Sequence, residues 1–220
     1  MGISPEQPLA VRMIVPQTLE DHPSIILASA SPRRRELMGL LRVPFEVIPS
    51  EYEEQMPASH ADVPQLAEHL AAEKARDVAR KYPGRLVIGS DTIVALDGRV
   101  YGKPRDAADA VRMLTELSGR THQVVTAVAL GRGAEAMRST SVTTEVTFRA
   151  LQAEEIRSYV DTGEPLDKAG AYGIQYYGVL LIAGIQGDYT NVVGFPLPTV
   201  VELLRAEGIP ILGLSGSARP

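Results

Sequence analysis

Apolar residues along this chain form two kinds of pattern. Short continuous runs at 24–29, 45–49, 85–89, 92–96, 123–130, 138–148 and 179–186 read as strands. Apolar positions three and four apart predict helices over 32–41, 62–82, 106–117, 153–161 and 197–207. Strands interleaved with helices of ordinary length indicate an α/β chain. Between 124 and 148 two strand runs are separated only by Gly131-Arg132-Gly133, so they should pair antiparallel. The expected fold is therefore a mixed central sheet flanked by helices. One domain over 22–212 accommodates all of these elements. Residues 1–21, rich in proline and acidic side chains, read as an irregular extension, and 213–220, rich in Gly and Ser, as a flexible tail.

Composition narrows the partners. The chain has 220 residues, 45% of them hydrophobic and 22% charged, which suits a globular protein with a real core. A net charge of -5 argues against a general nucleic-acid binder, so any polyanion site must be a local basic pocket. The chain contains no cysteine, which excludes disulfides, thiolate catalysis and cysteine-bound zinc. No apolar run approaches the roughly 20 residues of a membrane span, and the first residues lack signal-peptide character. These features lead us to expect a cytoplasmic protein without membrane association.

The segment Leu27-Ala28-Ser29-Ala30-Ser31-Pro32-Arg33-Arg34-Arg35 ends a strand and starts a helix. Ser31 suits the N-cap and Pro32 the first helical position. Three arginines in the first turn oppose the helix dipole, so either a bound phosphate offsets them or they form a solvated cluster. Gly89-Ser90-Asp91-Thr92 interrupts an apolar strand. It is either a tight turn or a polar site in which Asp91 binds a metal or acts as a general base. Lys74 falls on the apolar stripe of Val63, Leu66, Leu70 and Val78, and must either snorkel to the edge or enter a polar site. Lys103, pinned between Gly102 and Pro104, is a loop lysine or a phosphate ligand. The stretch Glu164 to Gln175 brings carboxylates, Lys168 and an amide together among small residues, as a surface loop or a ligand loop. Glu54, in Glu51-Tyr52-Glu53-Glu54, is a solvated acid or a second metal ligand. For His122 a structural hydrogen bond is expected. No histidine cluster, Gly-x-Ser-x-Gly elbow or Walker-type glycine loop is present.

Taken in order, these strings resemble the Maf family of nucleoside triphosphate pyrophosphatases. The likeness rests on Leu27 to Arg34, Glu73-Lys74-Ala75, Gly89 to Thr92, Gly102-Lys103-Pro104, Leu117 to His122, Asp167 to Gln175 and Asn191 to Leu197, with Phe195 where the family more often has Leu. The resemblance implies a two-lobed fold like the inosine triphosphate pyrophosphatases, with the active site in the cleft. It implies hydrolysis of a nucleoside triphosphate to the monophosphate and pyrophosphate with Mg2+ or Mn2+, Asp91 as proton acceptor, and Arg33, Thr92 and Gln175 as specificity positions. Glutamine at 175 resembles the dTTP and UTP branch. The 7-methyl-GTP branch typically carries glutamate.

The expected machinery is then Asp91 as base, Asp91 and Glu54 at the metal, and Ser29, Ser31, Arg33, Arg34, Lys74, Lys103 and Lys168 around the phosphates. Lys74 and Lys103 are expected to crowd each other in the empty site. The partner is the nucleotide, with a homodimer expected. The competing readings are a pyrophosphatase for 7-methyl-GTP or a modified nucleotide, and a nucleotide-binding regulator of cell division without turnover.

Overall fold

A computed structural model describes residues 25–54 and 62–212. The expected extension at 1–21 and the tail at 213–220 lie outside the described residues. The order is β1 (Ile25–Leu27), α1 (Pro32–Gly39), β2 (Phe45–Val47), α2 (Val63–Lys81), β3 (Leu86–Leu96), β4 (Arg99–Tyr101), α3 (Ala107–Leu117), β5 (Thr121–Arg132), β6 (Arg138–Phe148), α4 (Ala153–Asp161), three 3-10 turns, β7 (Ile182–Gln186), α5 (Tyr189–Val193) and α6 (Leu197–Ala206). No helix among the described residues is long and apolar enough to cross a membrane.

The seven strands form one sheet in the order β2-β1-β3-β5-β6-β7, with β4 also on β3. β1 pairs parallel with β2 and β3, whereas β3–β5, β5–β6 and β6–β7 are antiparallel, so the sheet is mixed as expected. The helices expected at 62–82, 106–117, 153–161 and 197–207 all form within two residues of those bounds. Two elements went unread. β4 is short and follows the Asp97-Gly98 turn, where both residues have positive φ, as a tight hairpin requires. α5 has only five residues and so leaves almost no periodic signal.

One expectation is corrected. Gly89 to Asp91 is not a break between two strands, since β3 runs unbroken from Leu86 to Leu96 and pairs with β5 from Leu86 to Ala95. The interruption is in its other neighbour. On that edge β1 covers Val87 and Ile88, and β4 covers Val94 to Leu96. Residues Gly89 to Ile93 have no strand beside them there among the described residues. The polar insert marks the open edge of a central strand, and a turn is not needed to explain it. The run at 179–186 is likewise revised. Residues Tyr176–Leu181 form a 3-10 turn and the strand starts at Ile182.

Alternation along β3 sends its side chains to two faces. Val87, Ile93 and Ala95 pack under α2 with Ala71, Ala75 and Val78. On the opposite face two apolar clusters form. One gathers Leu86 and Ile88 with α1 and α6, and the other gathers Val94 and Leu96 with α3 and α4. Between them that face is polar, carrying Ser90, Thr92 and Thr126. Such a belt cannot be left dry and unpaired. Asn191 satisfies much of it, accepting from Thr126 N (3.0 Å) and donating to Val124 O (2.9 Å) and Thr144 Oγ1 (2.8 Å). Ile174 and Val193 from the first cluster and Val94, Val124 and Tyr172 from the second line one cavity.

Candidate active site

The open edge of β3 forms the floor of a cavity of about 620 Å3, within the usual range for small-molecule sites. All eleven residues singled out in the sequence line it: Ser29, Ser31, Arg33, Arg34, Glu54, Lys74, Asp91, Thr92, Lys103, Lys168 and Gln175. They come from six separate stretches of chain.

The first wall is built on regular structure. Gly89 has no side chain, and a Cβ there would lie 2.7 Å from Ala71 O and 2.9 Å from Ala75 N. That close approach seats α2 directly on β3. Lys74 thereby reaches Asp91, two residues on from Gly89 on the same strand face. The Lys74 ammonium lies 2.5 Å from Asp91 Oδ1 and 2.6 Å from Glu54 Oε1. Its side chain is only 13% exposed, so the inward reading of Lys74 holds and the snorkelling one does not. The like-charge crowding expected around Lys74 is corrected: its ammonium is paired with two carboxylates, Asp91 and Glu54, whose convergence their separation in sequence conceals.

Asp91 is the most confined charge in the site, at 4% exposure. Burial pushes its carboxyl above the usual range, Lys74 opposes that shift, and Glu54 adds to it. Its Oδ2 is buried without a hydrogen-bond partner. A carboxylate oxygen in that condition is costly unless something binds it. A proton, a water or a cation would each satisfy it.

The arginine turn behaves partly as expected. Ser31 is the N-cap of α1 and accepts from Arg34 N, with Pro32 at the first position. Arg33 meets Asp167 at 3.5 Å across the cleft. Arg34 is largely committed to the protein, donating through Nε to Gly194 O (2.9 Å) and through its terminal nitrogens to Thr92 Oγ1 (3.1 Å) and Ser29 Oγ (3.4 Å). Desolvation lowers its pKa, and Asp91 and Glu54 oppose this. Arg34 therefore ties the α1 turn to the β3 edge and to the turn after α5. Ser29 also accepts from Ser31 N at 3.2 Å.

The second wall is a coil of 3-10 turns from Glu164 to Leu181. Lys168 donates to Glu164 O (2.6 Å) and Asp167 Oδ1 (2.7 Å). Gly170 donates to Gly102 O at 3.0 Å, joining this coil to the loop carrying Lys103. Gln175 Oε1 is buried in the cavity without a partner. Sequence reasoning missed what holds this wall together. Glu164 accepts from Tyr159 Oη (3.1 Å), Tyr177 N (3.1 Å) and Gly178 N (3.3 Å). Burial and the neighbouring carboxylates raise the Tyr159 pKa. At the base of the wall His122 and Tyr172 lie 2.7 Å apart (Nε2 to Oη), the structural hydrogen bond expected for His122. Desolvation lowers the His122 pKa to about 4, so the ring is neutral near pH 7.

Among the described residues no group of three or more His, Cys, Asp or Glu could hold a metal. Asp91 and Glu54 are a two-carboxylate set, and the unpartnered Asp91 Oδ2 is an acceptor of the kind a hard cation takes.

The model of the Maf-like protein family matches residues 24–207. A dTTP/UTP pyrophosphatase from Symbiobacterium thermophilum is 54% identical over 188 residues, covering 85% of this chain and 95% of its own. One from Moorella thermoacetica is 53% identical, over 86% and 97% of the two chains. One from Deinococcus radiodurans is 47% identical, over 89% and 98%. A solved nucleoside-triphosphatase / dITP/XTP pyrophosphatase from Mycobacterium abscessus aligns over 84% of this chain and 94% of its own at 18% identity and a TM-score of 0.42, a likeness too distant to bear on the site.

Proposed function

This chain belongs to the Maf-like family, and on that premise we propose that it hydrolyses dTTP and UTP to the nucleoside monophosphate and pyrophosphate, with the cavity along the β3 edge as its active site. The observation carrying this reading is the buried, unpartnered Oδ2 of Asp91 at the floor of a cavity lined by arginine and lysine. A base and a polyanion cradle stand together there. The names of relatives about half identical in sequence support the choice of substrate.

In this reading the triphosphate lies along the Ser29–Arg34 turn and the lysines. Lys74, Lys103, Lys168 and Arg33 offset its charge, and Ser29 and Ser31 orient its oxygens. Asp91 takes the proton of a water through Oδ2 as the water oxygen bonds to the α-phosphorus. The bond from the α-phosphorus to its bridging oxygen breaks and pyrophosphate leaves. A carboxyl raised by burial is a stronger base than a solvated one, which suits this task near neutral pH. Asp91 and Glu54 are the residues that would hold Mg2+ or Mn2+. Such a cation, when bound, neutralises phosphate charge and acidifies water. Gln175 offers one donor and one acceptor to the edge of a neutral pyrimidine. Glu at that position would suit a cationic methylated guanine.

The test is pyrophosphate release from a panel of nucleoside triphosphates with Mg2+ or Mn2+ present. dTTP and UTP should be preferred substrates. Binding without pyrophosphate release would overturn the enzyme reading in favour of a regulator, and preference for 7-methyl-GTP would overturn the base assignment.

A further inference from the structure

Tyr176 follows Gln175 directly and also lines the cavity. Two features set it apart. Its backbone is left-handed, with φ of 50°, a region that favours glycine and is rare for an aromatic residue. The residue is 74% exposed, more than any other aromatic among the described residues. Among the described residues the ring stacks on no other ring or cation.

The surroundings impose that backbone. Upstream, Ile174 is buried in the core with α1 and α6. Downstream, Tyr177 N and Gly178 N are both fixed on the Glu164 carboxylate. Gly178 is pressed so closely on Gly173 that a Cβ there would meet Gly173 O at 2.0 Å. Gln175 and Tyr176 are left between two anchors, and Tyr176 is the one of the pair with a left-handed backbone. A strained conformation held by its neighbours at a cavity wall is characteristic of ligand clamps. A ring with no internal partner is free to meet a ligand.

Resting on the pyrophosphatase reading above, we infer that Tyr176 is the stacking platform for the nucleobase, supplying the face of the base site while Gln175 reads its edge. Aromatic stacking tolerates any base, because every base has a π face, so Tyr176 contributes affinity and Gln175 the choice among bases.

The test compares wild type with Tyr176→Ala, Tyr176→Gly and Tyr176→Phe, using kinetics on UTP and equilibrium binding of a non-hydrolysable UTP analogue and of inorganic tripolyphosphate. Losing the ring in the Ala and Gly variants should raise KM for UTP and weaken the analogue on the order of tenfold, with kcat within about twofold. Tripolyphosphate has no base, so its affinity should not change. Tyr176→Phe keeps the π face and should restore both values. Tyr176→Gly should melt above Tyr176→Ala, because glycine accepts the left-handed backbone. Unchanged analogue binding in Tyr176→Ala would overturn the inference. Equal weakening of tripolyphosphate would also overturn it, since the residue would then act by shaping the loop that carries Lys168. Absence of pyrophosphate release from wild type would defeat the pyrophosphatase reading alone, while the two binding measurements would still decide the stacking.

Discussion

The two walls of the cavity are made from opposite kinds of structure. Asp91 and Lys74 stand on the central strand and on the long helix packed over it, where Gly89 sets their separation. Lys168, Gln175 and Tyr176 stand on consecutive 3-10 turns with left-handed residues at Gly170, Ala171 and Tyr176. The first wall is held by sheet hydrogen bonds and core packing. The second has no strand or α-helix of its own in that stretch: core packing of Ile174, Ala171, Tyr172 and Leu181 seats it, and the Glu164 carboxylate and the His122–Tyr172 contact fix its turns. Groups that handle protons need positions fixed to a fraction of an ångström, which regular elements supply. Groups that recognise a base can sit on a loop, where sequence change alters specificity at little cost to the core.

The strand wall should break most severely at Asp91. Asp91→Asn keeps the volume and an acceptor for Lys74, and Lys74 keeps Glu54. Loss of the base should lower kcat roughly 10²–10⁴-fold with little change in melting temperature. A folded variant with wild-type turnover would remove Asp91 from the mechanism.

Lys74→Ala sharpens the contrast differently. It leaves Asp91 and Glu54 facing each other without their shared cation, at a cost of about 2–3 kcal/mol in stability near pH 8. Because Asp91 would then hold a proton more tightly when folded than when unfolded, the deficit should shrink as pH falls toward the carboxylate range. Denaturant melts of the substrate-free protein at several pH values would read this out, and a pH-independent deficit would mean that the pairing with Asp91 is not responsible.

Acid probes the support of the loop wall. The His122 pKa is about 4 when folded against an ordinary value of 6.5. The unfolded chain therefore binds the extra proton first, and stability is lost as pH falls through that window. About 2 kcal/mol should disappear between pH 7 and 5. Replacing His122 with Gln should flatten that part of the stability–pH curve.

Gln175→Glu should have the smallest effect and act on selectivity. Glutamate keeps acceptors, loses the donor and adds charge beside a neutral base. kcat/KM for dTTP and UTP should fall about tenfold relative to 7-methyl-GTP, with Asp91 chemistry intact. Unchanged ratios would show that Gln175 does not read the base.

By itself the sequence determined the elements with strong periodicity and the residue types of the site. The spacing of apolar residues dictated α2, α3, α4 and α6, and the Gly131-Arg132-Gly133 turn dictated the β5–β6 hairpin. Ser31 was legible as a cap because capping is local. The eleven site residues were legible as polar groups in apolar surroundings and through the likeness to the Maf family. Only tertiary structure decided how they meet. Gly89 to Asp91 could be read locally as a turn or as a polar site, because chain order does not record which edge of a strand lacks a neighbour. Lys74 could have snorkelled, and its inward direction depends on α2 lying against Gly89. Glu164 was legible only as one carboxylate of a ligand loop, and its hold on the Tyr177 and Gly178 amides gave no signal, since a carboxylate bound to backbone N–H groups leaves no periodic trace. The strain at Tyr176 is likewise a backbone angle, imposed by Ile174 in the core and by Glu164 on the other side of the loop. Local rules select elements and caps over a few residues. The convergence of Glu54, Lys74 and Asp91 is decided by packing across the sheet, which no local window spans.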